Sequence, residues 1–104
     1  DYIHVLDLAS AHRLALEHGP SDFFNLGTGG GTSVKEIIRV CREITGHEIP
    51  VVEQPRRPGD PARLIAASDK IRAALGWEPK YTGVQAIIES AWKWHLAHPN
   101  GYGD

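Results

Sequence analysis

The chain has 104 residues, about the size of one domain. With 41% hydrophobic and 23% charged residues it falls among soluble globular sequences and outside the disordered class. Its net charge of -2 gives no general attraction for nucleic acid or anionic lipid, so an anionic ligand would need a local basic site.

Tyr2–Val5 reads as a short extended stub. A helix is predicted over Val5–His18, with Val5, Leu8, Ala9, Ala15 and Leu16 on one apolar stripe. Asp7 favours its first turn electrostatically, and Gly19-Pro20 stops it. Phe23–Leu26 is a short strand candidate, followed by a glycine-rich turn at Gly27–Gly31. Ser33 is the expected N-cap of the next helix, and Glu36 completes a capping box. Val34, Ile37, Ile38, Cys41 and Ile44 have the spacing of a buried helix face, and Gly46 ends it.

Val51–Glu53 reads as another strand. Pro50, Pro55, Pro58 and Pro61 then punctuate a stiff, non-helical loop. Leu64–Ala67 is a further short strand candidate. Ser68 is placed to cap a helix through Leu75, closed by Gly76. Thr82 and Gln85 have capping-box spacing for a last helix, with Val84, Ile87, Ile88, Ala91, Trp92 and His95 as its buried face. Pro99-Asn100-Gly101 ends it. About four helices and three to four short strands imply an α/β fold, or α+β for the piece taken alone.

The lone Cys41 excludes an internal disulfide, reads as a small buried hydrophobe, and favours a cytoplasmic setting. No apolar run approaches the roughly 20 residues of a membrane span, and no signal peptide is visible, so no membrane partner is expected. The opening Asp1-Tyr2-Ile3, with no initiator Met, suggests a piece of a longer polypeptide or a cleavage product.

Two motifs carry candidate chemistry. Gly27-Thr28-Gly29-Gly30-Gly31-Thr32 follows a strand candidate and opens a helix, as a phosphate-binding turn would. It keeps two of the three glycines of the dinucleotide pattern, and neither Glu48 nor Glu53 clearly ends a second strand. The other reading is a permissive strand-to-helix turn beside some other ligand. The segment Arg56-Arg57-Pro58-Gly59-Asp60-Pro61 puts two guanidinium forks on a proline-framed loop, which suits phosphate oxygens. Asp60 is placed to accept from a ribose hydroxyl pair. The competing reading is a solvated loop with Arg57 and Asp60 paired locally.

The six histidines have no metal-site spacing. His12 lies near the first helix's stripe and is expected in the core, and His4 is expected to make a structural hydrogen bond. No Gly-x-Ser-x-Gly turn and no Tyr-x-x-x-Lys pair occurs, so no catalytic residue is assigned. The three tryptophans read as packing residues.

Taken in order, several segments resemble one family. Asp1-Tyr2-Ile3-His4-Val5-x-Asp7-Leu8-Ala9 is similar to the R-D-Y-I-H-V-x-D-L-A stretch of UDP-glucose 4-epimerases, which belong to the extended short-chain dehydrogenases. Phe24–Gly29 with Ser33-Val34, Pro55–Ala62, Leu75-Gly76-Trp77-x-Pro79, and the closing Ala91–Tyr102 block resemble its other motifs.

The resemblance implies that residues 1–104 are the C-terminal, UDP-sugar-binding portion of a Rossmann-type epimerase. The NAD-binding lobe and its Tyr/Lys pair would lie outside this chain, so NAD would belong to the parent and the isolated piece would be inactive. UDP-glucose and UDP-galactose would be the substrates. Arg57 would bind phosphate, Asp60 the ribose region, and Tyr2 and Val34 would line the UDP site. The family's arginine falls just before Asp1. Where the family often carries a tyrosine near the hexose, this chain has Leu64.

By the same resemblance the Phe23–Leu26 strand would join the sheet of the missing lobe. Left alone it would expose an edge, which implies a homodimer or a domain-exchanged oligomer. A complete nucleotide-sugar-binding module and a related dehydratase or decarboxylase are the alternatives.

Overall fold

The computed structural model describes residues 1–103. Among these are four helices, α1 (Val5–His18), α2 (Val34–Thr45), α3 (Asp69–Leu75) and α4 (Val84–Ala97), with a 3-10 turn at Gly101–Gly103. The chain divides into two compact units. The first comprises Asp1–Thr32 and Arg63–Thr82; the second comprises Ser33–Ala62 and the chain from Gly83.

In the first unit α1 packs against α3. Its core is Ala11, Ile71 and Trp77, with Ile3, Leu14, Phe24, Leu26 and Leu75 packed around them. The face of α1 that packs is therefore Asp7, Ala11 and Leu14. The expected stripe is a different one, and its members Val5 and Leu16 are exposed. The reason is that Asp7, a polar residue, occupies the inner face, where two main-chain N–H groups bind its carboxylate.

Asp7 is 2% exposed, and its two oxygens accept from Lys80 N–H at 2.8 Å and Tyr81 N–H at 2.9 Å. Trp77, 1% exposed, donates its indole N–H to the Asp7 carbonyl at 3.0 Å and to Ser10 Oγ at 3.1 Å.

α1 is capped by His4, which is buried and accepts from Leu6 N–H through Nδ1 at 3.0 Å. The expected structural role of His4 is thus found, and its ring also stacks on Tyr81 at 4.4 Å. His12 is exposed, not in the core, with Nδ1 2.7 Å from the Leu8 carbonyl oxygen. Lys70 closes the far side of the unit. It donates to Asp22 at 2.6 Å and to the Phe23 carbonyl at 2.7 Å, and lies over the Phe24 ring. The Lys70 hydrogen bond, then the Phe23 N–H, holds the Asp22 carboxyl below its ordinary range. That contribution is complete above the ordinary aspartate range and is lost as pH falls through the lowered value.

In the second unit α2 packs against α4. Ser33 caps α2 as expected, accepting from Glu36 N–H at 3.1 Å. Val40 is buried, while Ile37, Ile38, Cys41 and Ile44 are half-buried and Val34 is exposed. Cys41 is therefore a boundary residue rather than a core one. On α4, Val84, Ile87, Ile88 and Trp92 are half-buried, but Ala91 and His95 are exposed.

Two expected caps are corrected. The N-cap of α4 is Gly83, with no side-chain hydrogen bond, so the Thr82–Gln85 box is absent. Ser68 is the N-cap residue of α3, but its hydroxyl accepts from Arg72 Nε at 2.9 Å instead of capping the helix.

The strand expectations are corrected as well. Phe23–Leu26, Val51–Glu53 and Leu64–Ala67 form no strand among the described residues. A strand exists only when a second stretch of backbone supplies its ladder, and among the described residues the one backbone-to-backbone bond into these segments runs from the Asp1 nitrogen to the Leu64 carbonyl. Phe23 is left 90% exposed. No described helix is long and apolar enough to cross a membrane.

Candidate functional site

Arg57-Pro58-Gly59-Asp60 forms a tight turn in the second unit. Proline fixes φ at the first central position, and Gly59 has φ +86° at the next. Asp60 N–H donates to the Arg57 carbonyl at 3.2 Å, so this is a type II turn. A side chain at Gly59 would be strained by that φ alone.

The turn brings the ends of the motif together. Arg57 Nε donates to Asp60 Oδ2 at 2.8 Å, closing a ring of charge across the loop. The local Arg57–Asp60 pairing weighed from the sequence is therefore present. It does not use up either group. The Arg57 side chain is 84% exposed, and its two Nη nitrogens make no protein hydrogen bond among the described residues. Asp60 Oδ1 is likewise outside the pair. A guanidinium anchored at Nε still presents the paired N–H groups that suit a phosphate.

Val34, the first residue of α2, also lies in the second unit and is exposed. Tyr2 lies in the first unit and is 40% exposed.

The glycine turn is put to structural use. An added Cβ at Gly27 would lie 2.5 Å from the Ala66 carbonyl oxygen and 2.8 Å from Asp1 Oδ2, so the missing side chain lets two main-chain stretches cross. The turn's Thr28 N–H and Gly29 N–H donate to the Asp1 carboxylate at 3.4 and 3.3 Å. Two of the turn's amides are thus already given to a carboxylate of the chain itself. The turn does not fit a dinucleotide, and no chemistry through NAD is assigned to it. Gly27→Ala is expected to lower stability by about 2 kcal/mol, as overpacking does. A shift in the denaturant midpoint would measure it, and an unchanged midpoint would refute the close crossing.

Sequence reasoning missed Asp1 altogether. The glycine turn offered N–H groups, but the acid that takes them stands 27 positions away in the sequence, and 65 from its other partner. Among the described residues no group of three or more His, Cys, Asp or Glu is gathered to hold a metal.

Comparison with known proteins decides the family. Residues 1–90 match the family described as GDP-mannose 4,6 dehydratase. The chain belongs to that family. A UDP-glucose 4-epimerase of Halalkalibacterium halodurans is 59% identical over 98% of this chain and 32% of its own length. A crystal structure of a UDP-glucose 4-epimerase superposes with a TM-score of 0.90 at 56% identity, over 100% of this chain and 33% of that one. The Bifidobacterium longum UDP-glucose 4-epimerase, solved in complex with NAD+ and UDP, gives a TM-score of 0.83 at 39% identity, over 98% and 31%. The chain spans about a third of the length of these relatives. The likeness within the family thus runs to 4-epimerases in both sequence and backbone, as the ordered motifs implied.

Proposed function

We propose that this chain is the UDP-gripping portion of a UDP-glucose 4-epimerase. The observation that carries the reading is the Arg57–Asp60 pair, locked by a type II turn with the Arg57 Nη groups turned outward. In this reading Arg57 binds the diphosphate, and Asp60 Oδ1 accepts from the ribose. Val34, exposed at the start of α2 in the same unit, contributes apolar contact to the nucleotide. Because the turn is preset and the guanidinium already held, little ordering cost falls on binding.

The reaction proposed for the whole polypeptide is the interconversion of UDP-glucose and UDP-galactose. NAD supplies transient oxidation at C4, and its site lies among residues outside this chain. The task of residues 1–104 is then to keep UDP anchored while the hexose turns. The 104 residues alone are expected to be inactive and to bind UDP weakly. The exposed Phe23 and the 23–26 segment, which pairs with no strand among the described residues, favour a homodimer or an exchanged oligomer, and the single half-buried Cys41 suits a reducing cytoplasm.

The test is Arg57→Ala in the full polypeptide, with UDP-glucose affinity read by calorimetry. A loss of about 1.5–3 kcal/mol is expected, the range for a hydrogen bond to a charged group. Unchanged affinity would remove the phosphate role. The family description leaves a dehydratase as a second reading, and turnover of UDP-glucose to UDP-galactose by the intact protein separates the two.

A further inference from the structure

A histidine is an unusual helix cap, and the way His4 caps α1 fixes its protonation state. The ring accepts from Leu6 N–H through Nδ1 at 3.0 Å. The donor is a main-chain amide, so Nδ1 must offer a lone pair, and the ring proton sits on Nε2. The cap therefore exists only while the imidazole is neutral. The ring is 3% exposed and stacks on Tyr81 at 4.4 Å, so it cannot turn away without leaving that packing.

Three effects oppose a proton on Nδ1. It would set N–H against N–H at the Leu6 amide. It would place a charge where the ring is out of water. It would also put that charge at the N-terminus of α1, the positive end of the helix dipole. The titratable groups on the surrounding segments are Asp1 on the same stub, Asp7 in the first turn of α1, and Tyr81 and the exposed Lys80 after α3. The two carboxylates would favour an imidazolium, but both are already bonded to main-chain N–H groups. Asp1 holds Thr28, Gly29 and Ala66, and Asp7 holds Lys80 and Tyr81. Neither relieves the clash of donors at Nδ1.

We propose that His4 is an acid-sensitive latch on the start of α1, closed while its imidazole is neutral and open once Nδ1 takes a proton. The sign follows from linkage. The open form binds the proton and the closed form excludes it, so the latch weakens as pH falls through the ordinary histidine range near 6.5. One pH unit below that value the shift toward the open form reaches up to about 10-fold. Every group involved lies in the first unit, and the latch holds whether or not Arg57 binds phosphate.

The experiment is amide hydrogen exchange of the full polypeptide at pH 7.5 and 5.5, corrected for the intrinsic pH dependence of exchange. Protection of the Leu6 amide should fall about 5- to 10-fold at the lower pH. The Glu36 amide is the control. It is capped in the same way on α2, but by Ser33 Oγ at 3.1 Å, which does not titrate, and its protection should hold. His4→Asn keeps an accepting cap that has no proton to gain, so in that variant Leu6 should be equally protected at both pH values.

Equal protection of Leu6 at both pH values in the native protein overturns the proposal. So does an equal loss at Glu36, or a loss that persists in His4→Asn. If His4→Asn does not fold, nitrogen NMR of the native protein decides in its place. Nδ1 of His4 should read as the unprotonated ring nitrogen at pH 7.5 and gain its proton as the Leu6 amide loses protection. A proton on Nδ1 at pH 7.5, or one gained at acid pH with Leu6 still protected, would rule the latch out.

Discussion

Trp77→Ala is expected to lower stability by about 3–5 kcal/mol, the range for truncating a large buried aromatic. Two terms add. The indole is 1% exposed and packs with Ala11 and Ile71, so its removal leaves a cavity at the centre of the first unit. Its N–H also binds the Asp7 carbonyl and Ser10 Oγ, which ties the segment after α3 to the first turns of α1. Trp77→Phe separates the terms. It keeps much of the apolar area and forfeits the donor, and should cost about 1–2 kcal/mol. Amide hydrogen exchange in α1 and α3 is the measurement, because these helices pack through this residue. Protection that survives Trp77→Ala would mean that the unit is held by something other than this core.

The core was only partly legible in the sequence, and the reason is distance along the chain. Helix ends are set by chemistry within a few residues. Ser33 caps α2, Gly46 and Gly76 close α2 and α3, and α1 runs over the span its pattern predicted. Which face of α1 packs is set elsewhere. Apolar periodicity selected Val5 and Leu16, but the inner face carries Asp7, whose partners at Lys80 and Tyr81 come 73 and 74 positions later. A pattern of apolar spacing has no means of assigning a carboxylate to the inside.

The strand candidates go without a ladder among the described residues for a related reason. Phe23–Leu26, Val51–Glu53 and Leu64–Ala67 have strand composition, but composition does not supply a ladder. The Arg57–Asp60 loop was the reverse case. Pro58, Gly59 and the Arg57–Asp60 spacing are local, so a stiff loop with this pair across it could be read directly, and the type II turn agrees. What spacing could not give was which guanidinium atoms the pair consumes. The answer is Nε alone, which leaves the two Nη nitrogens outside the local pair.

Asp7→Ala should cost about 3 kcal/mol, with Asp7→Asn only slightly milder. Asp7 sits in the first turn of α1, where an acid gains about 0.3–1 kcal/mol from the helix dipole. If that were its whole role, both variants would lose less than about 1 kcal/mol, and salt would erase the difference. The structure assigns it more. Each carboxylate oxygen takes one main-chain N–H, from Lys80 and from Tyr81, at a site 2% exposed.

Alanine leaves both donors without their charged partner, at about 1.5–3 kcal/mol for a hydrogen bond to a charged group. Asparagine can serve one donor, but its NH2 then faces the other, donor against donor. Denaturant midpoints of both variants at low salt and at 1 M salt decide between the accounts. A loss that persists at high salt marks a main-chain anchor, and a loss that vanishes marks a dipole effect. The same anchor fixes Tyr81, on which His4 stacks at 4.4 Å. Asp7→Ala should therefore also shift the His4 ring resonances, whereas an acid acting only on the helix dipole would leave that stack in place.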